Sequence, residues 1–220
     1  MTDMNGNAQD NAVKGNKYSA LKPGDHVKFG SYPQNHGDIK EPIEWVVLEV
    51  KDNEALLISR YALDCQPYHE ESADITWENC SLRKWLNDDF MKAAFSEEEQ
   101  RRISVSENPS GVNPRSGAKS GNDTRDRIFC LSLAEAEQYY AFDTARRCLP
   151  TEYAIEEGVL IDNEFGDNDE GCCFWLLRSP GMSQNLATFV NPDGSLEFFG
   201  GDVDAPLGAI RPALRIICNQ

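Results

Sequence analysis

Trp175-Leu176-Leu177-Arg178-Ser179-Pro180-Gly181 and Ile210-Arg211-Pro212-Ala213-Leu214-Arg215-Ile216 each set an arginine inside an apolar run. A guanidinium does not give up its proton, so in a core strand it must find carboxylates or carbonyls, or else reach a water-filled site. The expectation is that Arg178 and Arg211 are largely buried and bonded to strand carbonyls or to an acid such as Glu44. The competing reading is a cleft lined by both arginines that holds a carboxylate.

Around these runs the C-terminal third reads as strands: Cys173 to Arg178, Ala187 to Val190, Leu196 to Phe199 and Ala213 to Cys218. Asn191-Pro192-Asp193-Gly194 joins the middle two, since Pro presets a turn and Gly tolerates positive φ. Earlier in the chain, Val27 and Phe29 point inward from a short strand, and Ile43–Val50 and Ala55–Ser59 form a hairpin about Lys51-Asp52-Asn53-Glu54. Glu44, beside Trp45, either faces solvent or pairs with one of the arginines. Leu82, Trp85, Leu86 and Phe90 recur at helical spacing. Ser96 with Glu99 and Ser132 with Glu135 have capping-box spacing, and Thr151 is placed to cap one more turn. Ile128–Leu131 reads as a buried strand. Ser104–Asp126, rich in Gly, Ser, Asn and Pro, reads as a long mobile loop. Helices early and antiparallel strands late give an α+β chain with two or three short helices and long loops, not a doubly wound sheet.

The length of 220 residues suits one domain, here 20–220, after a disordered N-terminal tail at 1–19. No apolar run approaches a bilayer span and no export signal opens the chain, so a membrane is not an expected partner. With 21 basic and 37 acidic residues the net charge is −16, which repels phosphate backbones and excludes nucleic acid as a partner. Seven cysteines without a paired C-x-x-C spacing suggest neither a zinc ribbon nor a complete disulfide framework, and point to reduced thiols in a cytoplasm. Cys172-Cys173 reads as core filler, with redox chemistry as the alternative. Acids gather without Lys or Arg between Thr151 and Gly171. Asp167-x-Asp169-x-Gly171 lacks the other ligand positions of a calcium loop, so a solvated acidic loop is expected and no metal or cofactor is assigned.

Gly24-Asp25-His26-Val27-Lys28-Phe29-Gly30-Ser31-Tyr32-Pro33-Gln34, Pro42-Ile43-Glu44-Trp45-Val46-Val47-Leu48, Leu56-Leu57-Ile58-Ser59, Leu82-Arg83-Lys84-Trp85-Leu86-Asn87, Leu177-Arg178-Ser179-Pro180-Gly181 and Arg211-Pro212-Ala213-Leu214 together resemble one bacterial family, a domain of unknown function frequent in gut anaerobes. The Trp-x-x-Arg strand, Gly-turn hairpin and closing Arg-Pro strand are also similar to the C-type-lectin-like fold in its formylglycine-generating-enzyme branch. That resemblance implies termini brought together in one sheet and a long-loop region available to bind something.

Three function classes follow. The first is a non-catalytic ligand-binding or protein-interaction module, with Trp175, Arg178, Asn185, Asn191 and Arg211 near the ligand, a glycan, a peptide or a protein. The calcium-binding Glu-Pro-Asn, Gln-Pro-Asp and Trp-Asn-Asp patterns of sugar-binding lectins are missing: Trp85-Leu86-Asn87-Asp88 interrupts one, and Asn191-Pro192-Asp193 only resembles the others. The second is a structural or scaffold domain without a small ligand, which an exposed apolar patch would favour. The third is a cysteine oxidase like the formylglycine-generating branch, which uses active-site thiols and copper. Cys172, Cys173 and Cys218 do not align with that branch's catalytic pattern, no Gly-x-Ser-x-Gly motif occurs, and no catalytic residue is assigned.

Overall fold

A computed structural model of the chain describes residues 17–161, 171–206 and 208–219. The expected tail lies outside the described residues up to position 16, as do positions 162–170 of the acidic run with its calcium-like spacing. Tyr18, placed in the tail by sequence, is buried with its ring 6.0 Å from that of Phe29.

The first three strands, β1 (His26–Pro33), β2 (Lys40–Lys51) and β3 (Glu54–Ser59), form an antiparallel meander. In β2, Ile43, Trp45 and Val47 are buried while Glu44, Val46 and Leu48 are partly exposed, the period of two that a half-buried strand requires. Its turn into β3 works because Asp52 and Asn53 both take positive φ, 49° and 67°, the conformation that a tight two-residue hairpin demands. After β4 (Asp64–Cys65), α1 (Ser81–Trp85) runs through a π-turn at Leu86–Phe90 into α2 (Met91–Ala94), with Leu82, Leu86 and Phe90 facing the core. α3 (Glu97–Arg102) opens with the Ser96/Glu99 capping box.

Then come β5 (Ile103–Ser104), β6 (Ser106–Asn108), β7 (Thr124–Asp126), β8 (Ile128–Phe129) and α4 (Leu133–Tyr139), the last capped by Ser132 and Glu135. α5 (Asp143–Arg146) precedes α6 (Glu152–Glu156), whose Thr151 cap accepts a bond from the Ala154 N–H at 3.1 Å. Six short α-helices thus stand among the described residues where two or three were expected. The extra ones are single turns with too few apolar positions for periodicity to register. The chain closes with β9 (Trp175–Pro180), β10 (Leu186–Val190), β11 (Leu196–Asp202), β12 (Ala209–Ile210) and β13 (Ala213–Ile217).

Two sheets share the core. One runs β1-β2-β3-β13-β5, with β8 also on β13, and the other β11-β10-β9-β12-β4. Among the described strands only β9 and β12 pair in parallel, so the architecture is α+β and mostly antiparallel. The chain passes from the second sheet to the first between β12 and β13, at Arg211-Pro212. Pro212 has no N–H to give a ladder, and its carbonyl instead accepts from the Ser59 N–H at 2.9 Å, so the strand ends and the crossing is registered against β3.

The segment 104–126 is not the mobile loop that its composition suggests. β6 and β7 pair within it, and Asn113, fully buried, donates to the carbonyls of Pro180, Gly181 and Phe198 at 3.0, 3.0 and 2.7 Å. Asp126 sits at its far end and accepts from Trp77, Arg83, Asn108 and Thr124. Polar side chains hold this loop where apolar ones are scarce. No helix among the described residues is long and apolar enough to cross a membrane.

Candidate functional site

Arg178 lies in β9 with 3% of its surface exposed. Its guanidinium forks onto both carboxylate oxygens of Glu135, at 2.9 Å to one of them, and also donates to the Cys130 carbonyl at 3.0 Å. Burial alone raises the Glu135 carboxyl, yet Arg178 and the Ser132 cap together hold it below the ordinary glutamate range. Glu135 therefore serves twice, closing the N-terminus of α4 and neutralising β9. The acid suggested by sequence, Glu44, is occupied elsewhere: it accepts from His26 at 2.6 Å and from Arg60 at 2.9 Å.

Arg211, 4% exposed, reaches carbonyls only, donating to Ser59 at 3.0 Å and to Arg146 at 3.3 Å. Its guanidinium lies 5.0 Å from the Trp175 ring centroid and 5.7 Å from that of Tyr140. The Trp175 indole N–H donates to the same Arg146 carbonyl at 3.0 Å. Ser59 belongs to the first sheet and Trp175 to the second, so Arg211 fastens the two at the point where the chain crosses. The two arginines do not line a common cleft that could take a carboxylate, since Arg178 spends its donors on Glu135 and Cys130.

The other residues expected near a ligand separate. Trp175, expected near a ligand, is a fully buried residue of β9. The Asn185 side chain accepts from the Ser183 hydroxyl at 2.5 Å. Asn191 shapes the β10–β11 turn, with its amide on Ser195 at 3.0 Å and its carbonyl taking the Gly194 N–H at 2.8 Å. Gly194 holds φ 87° there, as the turn reading requires, and a Cβ would strike the Asp143 carbonyl. The structure thus brings Trp175 and Arg211 together and leaves Asn185 and Asn191 as turn residues.

A cavity of about 240 Å³ opens on the second sheet, lined by Tyr68, Leu160, Phe174, Trp175, Leu176, Phe189, Gly201, Asp202, Ala205 and Gly208. Its walls are almost wholly carbon, with Phe174 and Phe189 edge to face at 5.6 Å. Among the described residues Asp202 is its one acid, exposed at the mouth. Gly201 leaves room here: a Cβ on it would meet only the Phe189 ring, at 3.5 Å. Of the residues singled out by sequence, only Trp175 reaches this cavity. A signal was present in Phe174, Leu176 and Phe189, apolar residues alternating with buried positions, which give these strands a second apolar face.

The histidines bond carboxylates or backbone: His26 meets Glu44, His36 meets Glu152 and Glu156, and His69 accepts from the Ser81 N–H at 3.2 Å. Among the described residues no group of three or more His, Cys, Asp or Glu is placed to hold a metal ion. Neither curated proteins nor solved structures yielded a match. Residues 52–217, three quarters of the chain, match the family model described as Domain of unknown function (DUF6273), and the protein belongs to that family.

Proposed function

We propose that this domain is a non-catalytic interaction module whose cavity on the β9–β11 face receives one apolar side chain of a basic peptide or protein segment. The carbon-lined cavity beside Trp175 and Phe189 carries the reading. At about 240 Å³ it falls below the roughly 300–1,000 Å³ of cofactor and drug-sized pockets, and it suits a single leucine, phenylalanine or tryptophan side chain. A glycan fits it poorly, since sugar hydroxyls would be desolvated with, among the described lining side chains, Asp202 as their charged partner. Asp202 at the mouth and the net charge of −16 favour a cationic segment around that side chain. Within α+β, the proposed fold type is C-type-lectin-like. What supports it is that β1, near the N-terminus, and β13, near the C-terminus, share one sheet. Seven cysteines without a paired C-x-x-C spacing support a cytoplasmic setting.

Titration of methyl-labelled protein with acetyl-Lys-Leu-Lys-amide, acetyl-Lys-Phe-Lys-amide and N-acetylglucosamine tests the reading. The peptides are expected to shift the Leu160, Leu176 and Ala205 methyl signals saturably, and the sugar to leave them in place. Saturable shifts with the sugar alone, or with none of the three, would refute it.

A further inference from the structure

Arg211 is a buried cation whose hydrogen bonds go to two carbonyls, and the groups that face it are the thiols of Cys148 and Cys173 and the phenol of Tyr140. The Tyr140 hydroxyl is buried with no hydrogen-bond partner. No carboxylate contacts this guanidinium among the described residues, in contrast to Arg178. A fixed positive charge in a low-dielectric setting stabilises whichever neighbour can become an anion.

The two thiols are neighbours through the fold and not through sequence. The Cys173 N–H donates to the Cys148 carbonyl at 2.9 Å, and the Cys173 sulfur lies 3.5 Å from the same oxygen. That backbone bond sets the two residues side by side, and a disulfide needs Cα atoms within roughly 4.4–6.8 Å. The Cys148 thiol itself donates to the carbonyls of Arg60 and Leu149 at 3.7 and 3.6 Å. Cys148 and Cys173 are both buried, and Leu149, next to Cys148 in the chain, is exposed.

We propose that Cys148 and Cys173 form a redox couple, oxidised by hydrogen peroxide to an intramolecular disulfide, with Cys148 attacking first and Arg211 as its positioning residue. Burial pushes the Cys148 thiol up, but the neighbouring Cys173 thiol and the Arg211 charge outweigh it and draw the thiol below its ordinary value. The neighbouring Cys148 thiol and burial push the Cys173 thiol the other way. The Cys148 thiolate attacks one peroxide oxygen, the O–O bond breaks, and hydroxide leaves a sulfenic acid behind. The Cys173 thiol then attacks that sulfur, and the S–S bond forms as water departs. The hydroxide takes the proton that Cys148 released, so two thiols lose two protons and two electrons and the peroxide becomes two waters.

The test uses the full chain, treated with limiting hydrogen peroxide in its native state, quenched in acid, then alkylated under denaturing conditions and mapped by mass spectrometry. A Cys148–Cys173 disulfide is expected before any other of the seven cysteines is oxidised. Its rate should rise with pH with a midpoint below the roughly 8.5 of a free thiol, with Arg211, Cys173 and Tyr140 as the titratable or charged groups around Cys148. Arg211→Met should slow its formation at least about tenfold at neutral pH, with Arg211→Lys recovering part of the rate. Recovery of Cys148 and Cys173 both alkylated while other cysteines are oxidised overturns the proposal. So does first formation of a different disulfide in the wild-type chain, a result that does not depend on any variant folding.

Discussion

Arg178 and Arg211 illustrate two ways of keeping a guanidinium inside a protein. Arg178 has a bidentate carboxylate in Glu135, and breaking such a pair leaves the acid in place without its cation. Arg178→Met is expected to cost about 2–3 kcal/mol at neutral pH in urea denaturation, discounted from a fully buried pair because Glu135 keeps some solvent contact. The pH dependence has a definite sign. The Glu135 carboxyl is depressed in the folded chain, so its stabilisation is present above the unfolded value of roughly 4.3 and is lost as pH falls through the folded one. The difference between wild type and Arg178→Met should therefore shrink at acidic pH. A constant gap would show that packing and not the ion pair is what Arg178 supplies. The burial of Arg178 was legible from its apolar neighbours. Its partner was not, because Glu135 already had a complete local explanation as a capping-box residue.

At the scale of elements, the informative case is the loop between β6 and β7. Its composition argued for mobility, yet Asn113 ties it to the end of β9 and to β11 through three carbonyls, and its side-chain oxygen accepts from the Arg115 N–H at 2.9 Å. One of those carbonyls, that of Phe198, belongs to β11, which is an edge strand, so the loop also shields a row of backbone groups that would otherwise be open to another chain. Asn113→Ala is expected to lower stability by about 2–3 kcal/mol and to raise amide exchange across 110–121. Unchanged exchange in that segment would mean that Ser110, Ser116 and Asp123 suffice to hold it. No periodicity encodes such a contact, since the three acceptors come from residues 67 to 85 positions away. By contrast the capping boxes, the Asp52-Asn53 turn and the amphipathic helix were all readable, because their chemistry is complete within four residues or one helical turn.

For the molecule as a whole, the stretch Ile210–Ile216 gave the strands but not the fact that they belong to different sheets. Pro212 marks the crossing, and Arg211 ties Ser59 of one sheet to the Arg146 carbonyl that also receives Trp175 of the other. The cavity was illegible for a related reason: its lining comes from Tyr68, Leu160, the strands β9 to β11 and the turn after them, and only the packing of these segments shows that the second apolar face is concave. Gly201 offers the most direct access to its role. Its backbone lies outside the left-handed region and a side chain there points into the cavity past Phe189, so Gly201→Leu should fill the space while leaving the strand intact. The decisive measurement is the acetyl-Lys-Phe-Lys-amide titration run in parallel on wild type and Gly201→Leu, followed through the Leu160 and Ala205 methyl signals. Binding by the wild type and none by a folded Gly201→Leu is the predicted result; equal binding by both, or no saturable shift in the wild type, would contradict the assignment of this cavity as the binding site.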